Sequence, residues 1–311
     1  MKAWMRRLKI ELISPITKSK LVFGEDGKDN LTISVQGSKY PALLKDKGTI
    51  SIYNLDYATI TKIILYKYYK VKIYAGYRDT GEILIFSGQI SYISNKIHSA
   101  HDWQCYICFA SDVVSQYSQN RMNLNLTSGI NLYTAIENIC YRSGITNPHI
   151  DPELKNTFIN EVNNLYGTTS TILESATLTN QGKYTISSDN TLGTVIDVTT
   201  TKGKRIIKIK NDTIPIGGGN PRLSSAGLQI TLLPTFNFQP GDILQIDNGI
   251  LDVSISSADS VTTTYNTNYL DKNGMYMITE LTYTFENRGN SFQYDIKARA
   301  LNIISQFDTE A

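Results

Sequence analysis

The stretch Val71–Ile90, VKIYAGYRDTGEILIFSGQI, constrains what this chain can fold into more than any other. Val71, Ile73 and Ala75 alternate with Lys72 and Tyr74, a period of two that places one set of side chains on a buried face. Asp79-Thr80-Gly81 turns the chain, because Asp tolerates turn conformations and Gly supplies a positive φ without steric cost. On the return, Ile83 and Ile85 alternate with Leu84 and Phe86, so that strand is apolar on both faces and predicts packing on each side. The stretch is a hairpin with one half-wet and one deeply buried strand. Ile243–Asp247 and Met275–Phe285 repeat the pattern later in the chain.

At 311 residues the chain is too long for one ordinary core and predicts about two or three domains. Hydrophobic residues make up 41%, enough to bury sizeable cores. The net charge of +2, with Lys and Arg scattered, argues against nucleic acid or an anionic membrane as the main partner. The 20 tyrosines, with frequent Thr and Ile, favour strands, although a nucleotide bias in the source genome produces the same excess. The basic N-terminus has too short an apolar run for a signal peptide. No stretch approaches the roughly 20 apolar residues of a membrane span. The expectation is a protein made and folded in a cytosol.

Along the chain, strands are predicted at Leu8–Leu12, Leu31–Val35, Thr49–Leu55, Ile90–Ile97 and Trp103–Ala110. Gly37–Gly48 is predicted to be an exposed loop. A short helix capped by Asn54 or Asp56 presents Tyr57, Ile60 and Ile64. After Ser111 the character changes. Ser128 precedes a helix over about 129–142 whose Leu132, Ala135, Ile136, Ile139 and Cys140 form one stripe, ended by Gly144. A second helical stretch surrounds Thr171–Thr179 and ends at Gly182. Short strands follow at Lys183–Ser187, Thr194–Val198 and Ile206–Ile209. The last section opens at Gly217-Gly218-Gly219 and holds Leu228–Leu233, a Pro240-Gly241-Asp242 turn and Ile243–Ile246. A polar loop, Ser256–Asn268, leads to strands Tyr276–Glu286 and Phe292–Leu301, joined by an Asn287-Arg288-Gly289-Asn290 turn. The fold class is mainly β: a β-barrel over 1–112, a small α+β insert over 113–212 and a second β-barrel over 213–311.

Residue patterns for chemistry are missing. Cys105 and Cys108 form a CxxC, but on a strand they point to opposite faces, and no second CxxC or spaced His completes a zinc site. The glycine run 217–219 is followed by neither a helix nor a GK[ST], so it reads as a turn or linker. Acidic pairs such as Glu25/Asp26 and Asp151/Glu153 lie in polar loops, not in a desolvated cleft. No Ser sits in a G-x-S-x-G elbow, and no His has a nucleophile partner. Trp103 reads as a core residue. Neither a catalytic site, a metal nor a cofactor is expected.

Three passages carry a resemblance when taken in order. The first is TISIYNLDYATITKI (Thr49–Ile63) followed by YKVKIYAGYRDTGEILIFSGQI (Tyr69–Ile90). The second is LTSGINLYTAIENICYRSGI (Leu126–Ile145) with TILESATLTNQGKYTISSDNTLGTVIDV (Thr171–Val198). The third is SAGLQITLLPTFNFQPGDILQIDNG (Ser225–Gly249) with GMYMITELTYTFENRGNSFQYDIKARA (Gly274–Ala300). From about Arg7 to Leu301 the chain resembles the baseplate hub proteins of contractile-tailed phages, the group of the Mu-like hub and protein D-like tail proteins.

The resemblance implies two tail-tube-like barrels in one chain, so that a homotrimer presents six barrels to the six-fold tail tube above and a three-fold central spike below. It implies a non-enzymatic virion protein of the tail baseplate, assembled in the host cytoplasm, whose ring lines a channel that DNA crosses without specific binding. Expected partners are the tail tube protein or tube initiator and the central spike, with the tape measure protein a further candidate, and no membrane insertion. The alternatives are a distal tail or tube-initiator ring and, more remotely, a carbohydrate-binding virion module. Interfaces are expected at Lys39, Tyr40 and Lys45 in the first polar loop, at Asp259 and Tyr265 in the second, and at Asn287 and Arg288 in the hairpin turn.

Overall fold

The computed structural model describes residues 5–24, 31–40, 46–65, 68–97, 102–111, 121–143, 148–159, 163–178, 184–189, 194–200, 205–210, 214, 221–224, 227–247, 251–253, 271 and 273–301. The first third carries β1 (Arg6–Ile13), β2 (Lys20–Phe23), β3 (Ile33–Lys39), β4 (Lys47–Tyr53), α1 (Tyr57–Leu65), β5 (Lys70–Tyr77), β6 (Gly81–Ile97) and β7 (Trp103–Ala110). The middle carries β8 (Arg121–Leu126), α2 (Leu132–Arg142), β9 (His149–Ile150), a 3-10 turn (Pro152–Asn156), β10 (Asn163–Thr168), α3 (Thr169–Leu178), β11 (Tyr184–Asp189) and β12 (Thr194–Thr200). The last third carries β13 (Ile206–Lys208), β14 (Arg222–Ser224), β15 (Gly227–Leu232), β16 (Ile243–Gln245), β17 (Asp252–Val253), β18 (Met275–Glu286) and β19 (Phe292–Ala300). The protein is mainly β with a small helical insert.

The two β sections share one 14-stranded sheet, in the order β17-β14-β15-β19-β18-β3-β4-β7-β6-β5-β1-β2, with β16 also on β18 and β13 on β16. They also share one hydrophobic cluster, from Leu8 through Phe109 to Ile207 and on to Ala298. β13, which the expected boundary at 212 puts in the insert, pairs in parallel with β16. The insert keeps a separate cluster in which the α2 stripe, all five residues as expected, packs on Leu124, Leu154, Ile172 and Leu173. Helix α2 starts at Leu132 because Asn131, not Ser128, caps it: Asn131 Oδ1 accepts from Thr134 N at 2.8 Å.

Several expectations need correcting. In α1 the buried pair is Ile60 and Ile63, whereas Tyr57 and Ile64 are 80% and 58% exposed. Asp56 caps it through Thr59 N, and this start turns the stripe by about one position. Trp103 is not a core residue but 49% exposed, because β7 runs past the end of the core there. The 37–48 stretch is not all loop, since β3 continues to Lys39 and β4 begins at Lys47. Gly144, Gly182, the glycine run 217–219 and the loop Ser256–Asn268 lie outside the described residues. The Asp79–Gly81 turn forms as expected, with Gly81 at φ 82°.

The two β sections are quasi-repeats. β6 and β18 each carry a bulge, after Ile90 and after Ile278. At each bulge a hydroxyl takes a carbonyl of the next strand: Ser91 Oγ donates to Cys108 O at 3.2 Å, and Thr279 Oγ1 to Lys297 O at 3.1 Å. Just before it, Ile90 N donates to Tyr69 O and Ile278 N to Asp242 O. Superposing the bulges therefore matches β6 with β18, β7 with β19, β4 with β15, β3 with β14 and β5 with β16, in agreement with the strand order of each section.

The candidate interaction surface: a joint and a polar sheet face

The joint between the sections is built on β18. Along one edge β18 pairs with β19 throughout. Along the other, Met275–Met277 pair with β16 and Leu281–Glu286 pair with β3. The partner changes at the bulge, because a bulge bends its strand and re-aims the residues beyond it. Tyr283 faces Gly37 across this pairing, and its ring lies where any side chain at position 37 would stand. The core behind the joint is aromatic. Phe285 lies 5.3 Å from Phe292 and 5.3 Å from Tyr294, and Phe292 lies 5.4 Å from Tyr77 of the first section.

Three polar braces run across the joint. Arg6 donates to Gly289 O and Asn290 O, and its guanidinium stands over Phe292. Asn287 Oδ1 accepts from Ile33 N at 2.9 Å while its Nδ2 donates to Leu31 O at 2.8 Å. Lys39, 1% exposed, donates from Nζ to Asn237 Oδ1 at 2.8 Å and Phe238 O at 3.2 Å. Asn237 is held in turn by Gln239 Nε2 and, at its carbonyl, by Arg205 Nη2. Asp242, 2% exposed, accepts from Gln239 N and from Arg205 at both Nε and Nη2. A buried lysine is tolerable only with such partners.

Of the seven residues expected at interfaces, Lys45, Asp259 and Tyr265 lie outside the described residues. Lys39 and Asn287 join the two sections of the same chain. Tyr40 donates its backbone N–H to Asp46 Oδ1 at 3.2 Å. Arg288 is exposed in the turn between β18 and β19, at the rim of a groove on the sheet face. The sequence reading missed Arg205, Asn237 and Asp242. Pro240-Gly241-Asp242 was legible as a turn, but nothing local marks its Asp as the acceptor for a cation 37 residues away.

The outer face of β15, β19, β18, β3, β4 and β7 is a polar surface crossing the joint, with alternate positions such as Thr231, Thr282, Gln36, Ser51 and Gln104 outward and the other set in the core. Two shallow grooves on it hold three basic side chains (Arg222, Lys297, Arg288) and three acidic ones (Glu280, Asp295, Glu286). Lys297 and Glu280 pair at 3.1 Å, and Thr231 Oγ1 donates to Asp295. The grooves are charge-balanced, while exposed Lys47 of β4 and Arg299 of β19 add positive charge to the same face.

Burial favours the neutral form of two of the three thiols. Burial pushes Cys105 up to about 11, and burial with Glu137 pushes Cys140 up to about 12. All three cysteines are free, and among the described residues no group of three His, Cys, Asp or Glu could hold a metal ion. Among them, too, no helix is long and apolar enough to cross a membrane.

No protein-family model and no curated protein matches the chain. Solved structures do. The tail protein of Neisseria meningitidis MC58 superposes with a TM-score of 0.56 at 8% identity, over 96% of this chain and 98% of that one. The 43 kDa tail protein of prophage MuSo2 from Shewanella oneidensis gives 0.53 at 7% identity, over 95% and 97%. The E. coli c3393 protein, a type VI secretion component described as similar to the T4 tail proteins gp27 and gp5, gives 0.51 at 10% identity, over 91% and 76%. At these identities the likeness is one of architecture: the chain has the fold of phage and type VI secretion tail proteins.

Proposed function

We propose that the chain is a structural tail protein of a phage-type particle: a homotrimeric baseplate hub that adapts a six-fold tail tube to a three-fold spike. The observation that carries this reading is the quasi-repeat joined edge to edge within one sheet. A chain that holds two copies of one β unit, side by side, presents six units when three chains close into a ring. Its partners are the tail tube protein or a tube initiator on one side and the central spike on the other, with the tape measure protein a further candidate. It acts in the virion after assembly in the host cytoplasm, and it is not an enzyme.

The continuous polar face is the surface suited to line a channel. Its side chains are mostly small hydroxyls and carboxamides, and its cations (Arg222, Lys297, Arg288, Lys47 and Arg299) are set among Glu280, Glu286 and Asp295, which limits the counterion release that would hold a strand in transit. The chain as a whole, at net +2, agrees. The interfacial roles of Tyr40, Lys45, Asp259, Tyr265 and Arg288 belong to this proposal, as do those of Lys39 and Asn287, which would act by shaping the joint beneath them.

Light scattering on the purified chain across a concentration series tests the reading. A particle of three times the 34.8 kDa of one chain is expected. A hexamer would instead identify a distal tail or tube-initiator ring. A chain that is monomeric alone and with its candidate tail partners would overturn the assignment.

A further inference from the structure

The insert carries a second polar face, of a different make from the first. In the β8–β10 ribbon Leu124 and Leu126, with Met122 and Leu165, pack into the insert's own core, and the residues between them face out. On the outer side Asn125 lies across from Asn164 and Asn123 across from Tyr166, with Arg121 at the end of β8. All five are exposed, Tyr166 by 68%. Their side chains have no hydrogen-bond or ion-pair partner among the described residues. On the long sheet, by contrast, Lys297 pairs with Glu280 and Thr231 with Asp295. Shortly after β8, Asn131 bridges to Phe158, a second ring, 55% exposed beside the buried Ile159.

We infer that the outer face of this ribbon binds a neutral glycan. Tyr166 stacks on a sugar ring, and Asn123, Asn125 and Asn164 bond the hydroxyls around it. A carboxamide both donates and accepts, so it meets a hydroxyl, which also does both, whichever way that hydroxyl turns. Cross-strand neighbours stand about 5 Å apart, and alternate residues of one strand about 7 Å apart, so the three carboxamides surround the Tyr166 ring at the scale of one sugar. An exposed phenol offers an apolar plate while its hydroxyl stays wet. A pyranose matches both, with hydroxyls round its rim and C–H groups on its faces. Charge selects the class: the face has no described carboxylate for a metal ion, and a single arginine is too few cations for a polyanion. The apolar area is one ring wide, short of the dehydrated core of a protein interface. The inference goes beyond the hub reading and does not depend on it, because the ribbon packs on a core separate from the shared cluster.

Binding of the full chain to an array of neutral and acidic oligosaccharides tests this, followed by calorimetric titration with a neutral one that is retained. At least one neutral oligosaccharide should be held. Tyr166→Ala should weaken that binding about tenfold or more, as for an aromatic anchor. Tyr166→Phe, which keeps the plate, should stay within about twofold of the parent, and Asn164→Ala should lose about threefold or more. Both positions are exposed, so the variants should match the parent in circular dichroism and melting temperature. Retention of no neutral oligosaccharide, or of acidic ones alone, overturns the inference. So does binding that Tyr166→Ala leaves unchanged. A Tyr166→Ala chain that keeps its sugar and loses a tail-protein partner also overturns it, and makes the face a protein contact. Light scattering on the same variants reads the trimer separately and should show it in every one, so failure here and failure of the hub reading are distinct results.

Discussion

The segments after the two bulges share a backbone and differ in fate. Leu281–Phe285 of β18 is sealed between β19 and β3, whereas Ile93–Ile97 of β6 has β7 on one side and no described strand on the other. The same hydroxyl-to-carbonyl bond pins each bulge. Burial here is not a property of the strand; it depends on what lies against its second edge. Side chains differ accordingly. The covered segment uses Tyr283 and Phe285, and the open one uses Asn95 and Ile97. The two sections also trade volume at one matched pair: Gly48 faces Phe109 in the first, and Leu228 faces Ala298 in the second.

The largest expected effect contrasts the matched positions Phe285 and Ile97. Phe285→Ala empties a fully buried site ringed by Tyr283, Phe292 and Tyr294 and should cost about 3–5 kcal/mol. Ile97→Ala, at a site 69% exposed, should cost no more than about 0.5 kcal/mol. Urea unfolding of the two variants gives the comparison directly, and equal losses would break it. Next is Gly37→Val. A side chain there meets the Tyr283 ring, so either the ring leaves the core or β3 leaves β18, at a cost of about 3 kcal/mol. Loss of protection at the β3 amides would show which.

Much of this contrast was invisible in the sequence. The hairpin of β18 and β19 was legible because both strands alternate and Asn287–Asn290 is made of turn formers. The α2 stripe was legible because a 3.6-residue period is local. What could not be read is the pairing of β3 with β18, more than 240 residues apart in the chain. β2, β14 and β17 are only two to four residues long and too short to show a period. Lys39 looked like a loop residue, since lysine beside Pro41 normally is. It is buried because Asn237 and Phe238, supplied by the other section, give its ammonium partners. Trp103 was misjudged for the converse reason: its strand pattern is that of a core residue, but the core ends before it.

The polar brace sharpens the comparison at the next level down. Asp242→Ala removes the acceptor of Gln239 N, a buried donor, and the carboxylate partner of Arg205. It should cost about 2 kcal/mol. Glu280→Ala, on the outer face of β18, removes a carboxylate that meets Lys297 at 3.1 Å with both groups partly exposed. That loss should stay near or below about 1 kcal/mol and shrink with salt. A salt-insensitive loss at Glu280 equal to that at Asp242 would put the two pairs in one environment.

Alkaline pH separates buried from open groups in the same way. Burial raises Tyr77 to about 12, against the opposing pull of Arg6, and raises Cys105 to about 11. Burial also raises Tyr294. Each is an acid whose folded pKa lies above its unfolded value, so the neutral form is the one the fold favours. Its contribution is complete below the unfolded pKa and is lost as pH rises through the folded one. The urea midpoint should therefore hold up to about pH 9 and fall toward pH 12. Tyr77→Phe should flatten the upper part of that fall; an unchanged slope would count against its burial as the cause.

The smallest effect has the opposite sign. Tyr283 is 1% exposed, its hydroxyl has no hydrogen-bond partner among the described residues, and burial first, then Asp46 and Tyr294, holds its pKa well above the usual value. Tyr283→Phe deletes an oxygen that makes no bond but has lost its water, so it should stabilise the fold by up to about 1 kcal/mol. Tyr276 is the control. It is equally buried, but its hydroxyl accepts from Asp271 N at 3.3 Å, so Tyr276→Phe leaves a buried N–H short of a partner and should cost about 1 kcal/mol. If both substitutions destabilise, the Tyr283 hydroxyl has a partner after all. Since Tyr283 stands over Gly37, that partner would be part of what holds the two sections together.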